Sequence, residues 1–308
     1  MSGTTLPLLQ LCLISDGKAG HNTQLRGLQS GLSRHFHIAA DHIETTAGFL
    51  ACVSAIKRWR NQIKNQRLLV AGAGGGTWRY LVMANKLFGL RTLVLLRPRF
   101  WPKRWFDYIV VPKHDELPER GHIFCTEGVL NPISPAKAPD VNKGTILIGG
   151  PSKHHDWDSD ALLEQIKIIM RADAHTHWSL TTSRRTPMDF GEKLKRLDVD
   201  NLTFLSVDET PPNWVSEQLN QCAAVWVTED SMSMIFEGLS AGARVGLMAL
   251  PRSRTGRVTR CIDDLVQRGW VTSFTDFKKS KTLLPPKPPL QEANRIGDII
   301  AAKIIAGE

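Results

Sequence analysis

The chain has 308 residues, 42% of them hydrophobic, with 24 glycines and 17 prolines. This length favours two domains of ordinary size, and the composition is typical of a folded globular protein. Its apolar runs, such as 92–97 and 145–150, fall short of the roughly 20 residues of a membrane-spanning helix, so none is expected. A formal net charge of +9 favours an anionic partner.

Three kinds of partner satisfy that charge: nucleic acid, an anionic membrane surface and a phosphorylated small molecule. The sequence shows no RNA- or DNA-binding motif, so nucleic acid is not expected. The other two partners are compatible with each other, and both are retained.

The five cysteines lie far apart, at positions 12, 52, 125, 222 and 261, without CxxC spacing. Their odd number and scatter predict free thiols in a reducing compartment, with neither a disulfide nor a zinc site. The N-terminal "MSGTTLPLLQLCLIS" has no basic leader or cleavage pattern, so no signal or transit peptide is expected. The expected location is the cytoplasm, with peripheral attachment to the inner face of a membrane as an alternative.

Short Val/Ile/Leu runs alternate with amphipathic stretches in the first half of the chain. The pattern predicts strands at 8–14, 36–43, 67–72, 92–96, 107–111 and 122–125. It predicts helices near 22–34, 47–62 and 77–88. Such alternation indicates an α/β fold with a parallel sheet covered by helices on both faces.

The stretch "NPISPAKAPDVNKG", residues 131–144, is rich in proline and lacks an apolar period, which predicts a linker. The alternation then restarts. Strands are predicted at 145–149, 177–181, 202–205, 223–228, 244–248 and 270–273. Helices are predicted near 158–171, 187–197, 231–241 and 256–268, with a final amphipathic helix at 291–308. Two α/β domains joined in this way leave a cleft, and ligands of such sheets bind beyond the carboxyl ends of the strands.

The first loop of the second half is "IGGPSKHHDWD", residues 148–158. Gly149 and Gly150 allow a close backbone approach to a ligand, and Ser152 and Lys153 are suited to an anion. A plain glycine turn into a helix is the alternative.

The same loop contains His154, His155, Asp156 and Asp158, which invite a metal interpretation. Adjacent histidines point apart, however, and a helix cap explains the aspartates. No metal is expected here.

The second loop is "LTTSRRTPMDF", residues 180–190. Ser183, Arg184 and Arg185 follow a strand and precede a helix. The planar guanidinium group suits phosphate oxygens, and a helix N-terminus adds amide donors. A solvated pair of surface arginines is the alternative.

The third loop lies in "VTEDSMSMIFEGLSAGARV", residues 227–245. Helical spacing places Asp230, Ser233 and Glu237 on one face, opposite a core-facing stripe that includes Met232 and Ile235. Capping of the helix explains Asp230 or Ser231 without a ligand. It does not explain Glu237, whose carboxylate could accept hydrogen bonds from a ribose diol.

The acids of this third loop would repel a phosphate, so its cations must come from elsewhere. The candidates are Lys153, Arg184, Arg185, Arg252, Arg254, Arg257 and Arg260. We therefore expect the carboxylate to bind the sugar of the ligand, and the cations and backbone amides to bind its phosphate.

In the first half, "LISDGKAGHNTQLRGL" follows the first strand and resembles a phosphate loop without matching a standard motif. The third strand is followed by "AGAGGGTWRYL". Asp16 and His21 are the best placed residues for the general base that transfer to a hydroxyl requires. Each could instead be a structural cap.

The stretch "LRPRFWPKRWFDYIVVPKHDEL", residues 96–117, interleaves basic and aromatic side chains. Its predicted membrane- or acceptor-contacting residues are Arg97, Arg99, Trp101, Lys103 and Arg104. Such a mixture can dock on an anionic membrane interface. Packing of arginine stems against buried tryptophans is the alternative.

Together these stretches resemble the motifs of the mitochondrial-fission (elongated mitochondria) family. The matching motifs are "SDGKAGHNTQLRGL", "RPR…FDYIVVPKHDE", "IGGPSKHHDW", "TTSRRTP" and "VTEDSMSMIFEGLSAGARV", in family order over essentially the whole chain. Bacterial members of that family are described as glycosyltransferases.

The resemblance implies a GT-B-like α/β architecture of two Rossmann-like domains with parallel sheets facing a central cleft. It implies an acceptor-side domain at 1–135, a nucleotide-sugar-side domain at 145–288 and a helix at 289–308 that returns towards the first domain. No obligatory metal or other cofactor is implied, because the nucleotide-sugar is a substrate.

Carried over position by position, the resemblance places eight residues in the donor site: Ser152, Lys153, Ser183, Arg184, Arg185, Ser231, Ser233 and Glu237. Gly150, Thr228 and Asp230 complete the predicted donor site. Asp16, Gly20 and His21 would face it, with Asp16 and His21 as the catalytic candidates.

Three functions are compatible with these observations. The preferred one is a transferase that moves a sugar from a nucleotide-sugar to a cell-envelope acceptor, such as lipopolysaccharide core or another lipid-linked glycan. The second is a membrane-peripheral adaptor that recruits partner proteins without catalysis. The third is a nucleotide-sugar epimerase.

Overall fold

The structure, a computed structural model, describes residues 6–63, 67–197 and 199–307. These residues form two compact units, which we call unit 1 (Met1–Pro132 with Gln291–Glu308) and unit 2 (Ile133–Leu290). Residues 1–5, part of the segment in which no signal peptide was expected, lie outside the described residues. Glu308, the end of the predicted last helix, also lies outside them. In the described ranges no helix is long and apolar enough to cross a membrane.

The first part of unit 1 alternates strands and helices as predicted. Its strands are β1 (Leu8–Ser15), β2 (His37–Glu44), β3 (Arg67–Ala73), β4 (Thr92–Leu95), β5 (Tyr108–Pro112) and β6 (Ile123–Thr126). Its helices are α1 (Ala19–Leu32), α2 (Phe49–Gln62) and α3 (Trp78–Phe88). All neighbouring strands are parallel, in the order β2-β1-β3-β4-β5-β6.

The predicted strand bounds are correct to within one residue, but α1 begins three residues earlier than predicted. Lys18 occupies its N-cap position and makes no side-chain cap hydrogen bond. The usual Ser, Thr, Asp or Asn signal is therefore missing where the helix starts.

Unit 2 repeats the alternation. Its strands are β7 (Asp140–Leu147), β8 (His177–Thr181), β9 (Leu202–Leu205), β10 (Cys222–Thr228), β11 (Arg244–Met248) and β12 (Thr272–Ser273). Its helices are α4 (Ser159–Ala172), α5 (Met188–Lys195), α6 (Trp214–Leu219), α7 (Met232–Ala241), α8 (Arg257–Gln267) and α9 (Phe274–Ser280). The parallel sheet has the order β12-β11-β10-β7-β8-β9.

Two predictions for unit 2 need correction. The predicted linker 131–144 overlaps β7, which begins at Asp140, because four exposed residues precede the apolar part of that strand and hide its start. Helices α6 and α9 were not predicted. Each is short and buries only two large side chains, too few for a helical period.

Buried side chains on both faces of each sheet form the cores. Along β1, Leu11 and Leu13 belong to the cluster under α1, whereas Cys12 and Ile14 belong to the opposite cluster. In unit 2, Trp178 lies so close to the neighbouring strand that a Cβ at Gly144 would be 2.3 Å from its ring. Burial on both faces explains why these strands are continuous apolar runs.

The last helix, α10 (Glu292–Ala306), packs on α1 within unit 1 with backbone touching backbone. A Cβ added to Gly31 would lie 1.9 Å from the carbonyl oxygen of Ala293. A Cβ added to Gly297 would lie 2.4 Å from the backbone of Gly31. Only glycine allows this approach.

We therefore expect Gly297→Ala to destabilise the protein. Overpacking against backbone costs about 1–3 kcal/mol, more than the roughly 0.5–1 kcal/mol that alanine gains in a helix interior. The matched control is Gly191→Ala in α5, where an added Cβ meets nothing within 4 Å and stability should rise. Urea unfolding of both variants decides the matter, and a Gly297→Ala variant as stable as the wild type would contradict the packing account.

Candidate functional site

Each sheet has one point at which its strand order reverses: between β1 and β3 in unit 1, and between β7 and β10 in unit 2. Ligands of open α/β sheets bind at such switch points, beyond the carboxyl ends of the strands. The predicted catalytic residues follow β1, and the predicted donor-binding residues lie after β7 and β10, or on the loop after the neighbouring strand β8. Each set is described within its own unit.

In unit 1, Asp16 and His21 form a dyad. Nδ1 of His21 lies 2.8 Å from Oδ1 of Asp16, and the two side chains are 18% and 7% exposed. With the proton on Nδ1, the imidazole donates to the carboxylate and Nε2 keeps its lone pair. The arrangement orients one imidazole nitrogen as a base, with a carboxylate behind it to stabilise the protonated form.

The surroundings of Asp16 keep this carboxyl ionised. Burial raises its pKa, but the hydrogen bond and charge of His21, followed by Lys18, outweigh burial and hold the pKa below its usual value. Nζ of Lys18 lies 3.2 Å from Oδ2. The turn is fixed by Ser15, whose Oγ accepts from the backbone N–H of Gly17 at 3.0 Å.

The glycines after β3 make room for the dyad, a role that the sequence did not reveal. Gly74 has φ +77°, and a Cβ there would lie 2.1 Å from the His21 ring. A Cβ at Gly76 would lie 2.7 Å from Cβ of Asp16. The run of glycines in "AGAGGGTW" was the available sequence signal. The structure shows that glycine is needed there because His21 and Asp16 pack against these positions.

In unit 2, the end of β10 holds the glycine loop that follows β7. The hydroxyl of Thr228 accepts from the N–H of Gly149 at 2.8 Å, and Oδ2 of Asp230 accepts from the N–H of Gly150 at 3.0 Å. A Cβ at Gly149 would lie 2.2 Å from the Asp230 carboxylate. Gly149 is therefore needed for contact with the end of β10, whereas Gly150 is needed for contact with the loop after β8, because a Cβ there would lie 2.3 Å from the carbonyl oxygen of Arg185.

Arg185 joins this assembly from the loop after β8. Its guanidinium donates to Oδ2 of Asp230 at 2.7 Å, to the carbonyl of Gly150 at 2.9 Å and to that of Pro151 at 3.1 Å. The Asp230 side chain is fully buried. Arg185 thus ties three loops together although, like the neighbouring Arg184, it is exposed to solvent.

The predicted hydroxyl residues of the first two loops also hold backbone. Ser183 donates to the carbonyl of Gly149 at 2.9 Å. Oγ of Ser152 accepts from the backbone N–H groups of His154 and His155. Lys153, which follows Ser152 in the chain, is exposed. These contacts leave Lys153 and Arg184 as the cations at the loop tips.

Glu229 anchors the loop that follows β11. Its carboxylate accepts from Nε of Arg252 at 3.3 Å and lies 3.8 Å from Nε2 of the fully buried His155. Burial raises the pKa of Glu229, and Arg252 partly offsets this. Burial lowers the pKa of His155, which favours its neutral form. The acid is therefore compensated chiefly by Arg252.

The loops after β7 and β11 are joined directly. His155 and Arg252 form an isolated antiparallel bridge, and the N–H of Asp156 donates to the carbonyl of Pro251 at 2.8 Å. In the sheet, β10 lies between β7 and β11. The joined loops therefore span the end of β10, which explains why Glu229 and the Asp230 side chain are buried.

Helix α7 begins directly after these acids, and the capping interpretation of this junction is wrong. Ser231 is the N-cap residue, yet among the described residues its side chain makes no cap hydrogen bond. The Asp230 carboxylate is bound to Gly150 and Arg185 instead. The start of α7 therefore keeps its amide groups and positive end for other partners.

The predicted faces of α7 are mostly correct. Ser233 and Glu237 are partly exposed on one side, and Ile235 is fully buried on the other. Met232 is only partly buried, because it lies in the first turn beyond the core. Glu237 forms a further contact within the protein.

The metal interpretation gains no support from the donor groups. Oδ1 of Asp158 accepts from the N–H of Ala161 and caps α4, as expected. Across residues 6–63, 67–197 and 199–307, no three His, Cys, Asp or Glu residues are grouped closely enough to hold a metal ion.

The basic and aromatic stretch after β4 divides into two sets. The Arg97 guanidinium donates to the carbonyls of Asp115 and Glu116, and Trp101 packs partly buried against the core. Arg99 and Arg104 are exposed, and Lys103 is partly exposed.

The solved structures that resemble this chain share its fold at low sequence identity. A candidate UDP-N-acetylglucosamine 2-epimerase from Listeria monocytogenes has a TM-score of 0.61 at 12% identity, with 96% of both chains covered. UDP-GlcNAc 2-epimerase from Neisseria meningitidis, bound to UDP-GlcNAc, has a TM-score of 0.56 at 10% identity and covers 97% of this chain and 100% of its own. UGT2 from Phytolacca americana, complexed with UDP-2fluoro-glucose and pterostilbene, has a TM-score of 0.54 at 9% identity, with 96% and 90% covered.

These likenesses, with two six-stranded parallel sheets flanked by helices, establish the predicted GT-B-like α/β fold. Comparison with curated protein sequences gave no match. The family described as "Mitochondrial fission ELM1" matches residues 19–304, which include His21 and all three loops of unit 2, whereas Asp16 lies three residues before the match. The chain is a member of the mitochondrial fission ELM1 family.

Proposed function

We propose that this protein is a glycosyltransferase that moves a sugar from a nucleotide-sugar donor to a hydroxyl group of a cell-envelope glycan. The observation that carries the proposal is the state of the unit 2 switch point. Its two acids are already compensated by arginines, and among the described residues the side chain of the N-cap residue Ser231 makes no cap hydrogen bond at the start of α7. Lys153 and Arg184 are exposed on the loops after β7 and β8. The predicted conflict between acids and phosphate is thereby removed.

In this proposal the diphosphate of the donor binds at the N-terminus of α7. Amide donors and the helix dipole favour an anion there, and Lys153 and Arg184 supply charge from two neighbouring loops. Ser233, in the first turn of α7, and Glu237, one turn further along the same face, would bind the ribose hydroxyls. Arg185, Asp230 and Thr228 contribute by holding the loops in place.

A cavity beside Arg184 suits the base of the nucleotide. It has a volume of about 360 Å³ and is lined in part by Thr182, Phe204 and Val207. Most of its lining is polar or charged, including Ser183, Glu192 and Asp208, whose side chains would hydrogen-bond to the base. The three structural relatives named above support this choice only through their names, two of which include a bound UDP-sugar.

The dyad supplies the base of the transfer. Nε2 of His21 takes the proton of the acceptor hydroxyl while the acceptor oxygen forms a bond to the anomeric carbon. The bond from that carbon to the diphosphate breaks, and the diphosphate leaves with the electron pair. Asp16 stabilises the imidazolium that forms, and the cations of the donor loops stabilise the leaving group.

The acceptor class rests on charge. Lipopolysaccharide core and lipid-linked glycans carry phosphates, and the net charge of +9 favours such a substrate. A nucleotide-sugar epimerase and a non-catalytic adaptor are the other outcomes that the experiments below distinguish.

The donor site is tested with Arg184→Ala and a panel of UDP-, GDP-, ADP-, TDP- and CMP-linked sugars. Loss of a charge-assisted hydrogen bond of about 1.5–3 kcal/mol should weaken nucleotide binding roughly ten-fold or more. Binding is measured by the thermal shift that a saturating ligand produces. The matched control is Arg171→Ala, an exposed arginine in the last turn of α4.

If the wild type binds one nucleotide selectively and Arg184→Ala binds it equally well, the site assignment is wrong. If no nucleotide-sugar shifts the melting curve, the adaptor replaces the enzyme as the best account.

The dyad is tested with His21→Ala and Asp16→Asn in single-turnover transfer assays. General base catalysis contributes about 10²–10⁴-fold, so His21→Ala should lose that much rate while retaining donor affinity. Asp16→Asn should lose part of it, because the imidazolium is no longer stabilised. Unchanged turnover in His21→Ala would contradict the mechanism, and donor conversion in the absence of any acceptor would identify an epimerase.

A further inference from the structure

The segment 96–106 leaves β4 in a fixed direction. Leu96 has φ +73°, a left-handed conformation that is costly for a bulky residue, and its N–H donates to the carbonyl of Val110 at 2.9 Å. The next residue, Arg97, donates to the carbonyls of Asp115 and Glu116 at 2.8 and 3.2 Å. The segment is therefore held at its base by β5 and the turn that follows it.

The inner side of the segment is packed. The rings of Trp101 and Trp105 lie edge to face with centroids 5.7 Å apart, and both side chains pack against the core cluster that contains Phe106. The N–H of Trp105 donates to the carbonyl of Pro102 at 3.0 Å and closes a helical turn. The segment is a supported projection with a defined outer side.

The outer side combines one aromatic ring with cations. Phe100 is 89% exposed although folding usually buries phenylalanine. Arg99 and Arg104 are exposed beside it in sequence, and Lys103 is partly exposed. The segment contains four cations and no acid. An outward phenylalanine among arginines is costly to keep in water and is suited to the boundary between lipid headgroups and acyl chains.

We propose that this outer side docks on an anionic phospholipid bilayer. Phe100 enters the headgroup–acyl boundary, and Arg99, Lys103 and Arg104 contact the lipid phosphates. Arg97 and Trp101, two of the residues predicted to touch a membrane, instead support the segment from within. The contact uses none of the proposed donor or catalytic residues, so it stands or falls independently of the transfer reaction.

The position of the segment 96–106 relates the membrane contact to the dyad. It follows the carboxyl end of β4, and the dyad follows the carboxyl end of β1, so both lie at the same edge of the unit 1 sheet. Docking would bring the dyad edge to the bilayer surface, where the glycan of a lipid-linked acceptor is displayed. This last consequence depends on the proposed function, whereas the docking itself does not.

The test is co-sedimentation with vesicles of phosphatidylcholine alone and of phosphatidylcholine containing one third phosphatidylglycerol. The wild type should bind the anionic vesicles, with an affinity that falls as salt rises, and not the neutral ones. Phe100→Ala should weaken binding about ten-fold. The double variant Arg99→Glu/Arg104→Glu should weaken it by at least about five-fold for each cation.

Two controls separate this contact from general stickiness. Lys278→Glu/Lys279→Glu, on exposed positions of α9, changes the formal net charge by the same amount as the arginine variant and should bind normally. Leu50→Ala removes an apolar side chain of α2 that is 79% exposed and should also bind normally. All variants concern surface residues, and unchanged melting temperatures will show that they are folded.

The proposal is overturned if the wild type ignores anionic vesicles or if Phe100→Ala binds like the wild type. It is also overturned if the α9 variant loses as much binding as the arginine variant, since net charge alone would then suffice. Nucleotide-sugar binding, measured on the same variants, reports separately on the transfer hypothesis.

Discussion

The ion pair between the buried Asp230 carboxylate and Arg185 is the contact on which the candidate donor site depends. A buried charge is costly unless it is paired and hydrogen-bonded, and here one oxygen serves both the Gly150 N–H and the Arg185 guanidinium. Removal of Arg185 would leave the buried Asp230 charge uncompensated beneath three loops, whereas the partly exposed Arg185 would stay solvated without Asp230. The loops after β7, β8 and β10 are thus held by a single carboxylate.

Glu229 does the same for the other side of the switch point, through Arg252. Glu229 bonds to the loop after β11, and Asp230 bonds to the loops after β7 and β8. The end of β10 therefore holds the surrounding loops in place. In unit 1 a carboxylate also fixes a polar side chain: Asp16 holds His21, and the glycines after β3 leave space for the imidazole ring. At both switch points, polar side chains have fixed directions before any ligand arrives.

The sequence predicts the features that depend on residues close together in the chain, and it does not predict those that depend on residues far apart in the chain. Apolar periodicity locates the strands, and the polar residues at their ends mark the loops, because both signals are local. The different fates of Arg184 and Arg185 are not local: the adjacent arginines look alike, and only Asp230, 45 residues later, selects Arg185. The acids likewise look exposed in sequence, and the joining of His155 to Arg252 buries them. Family motifs identify the positions but not these contacts.

The packing of α10 on α1 has a consequence for synthesis of the chain. Ile296, Ile300 and Ile304 complete the core beneath α1, yet the ribosome makes them only after all of unit 2. Chains emerge at about 5–20 residues per second, and domains usually fold as they appear. Unit 1 begins first but must wait, with an apolar groove along α1 uncovered, while unit 2 has its whole sequence available earlier. The core of unit 1 is therefore expected to stay incomplete until α10 has left the ribosome.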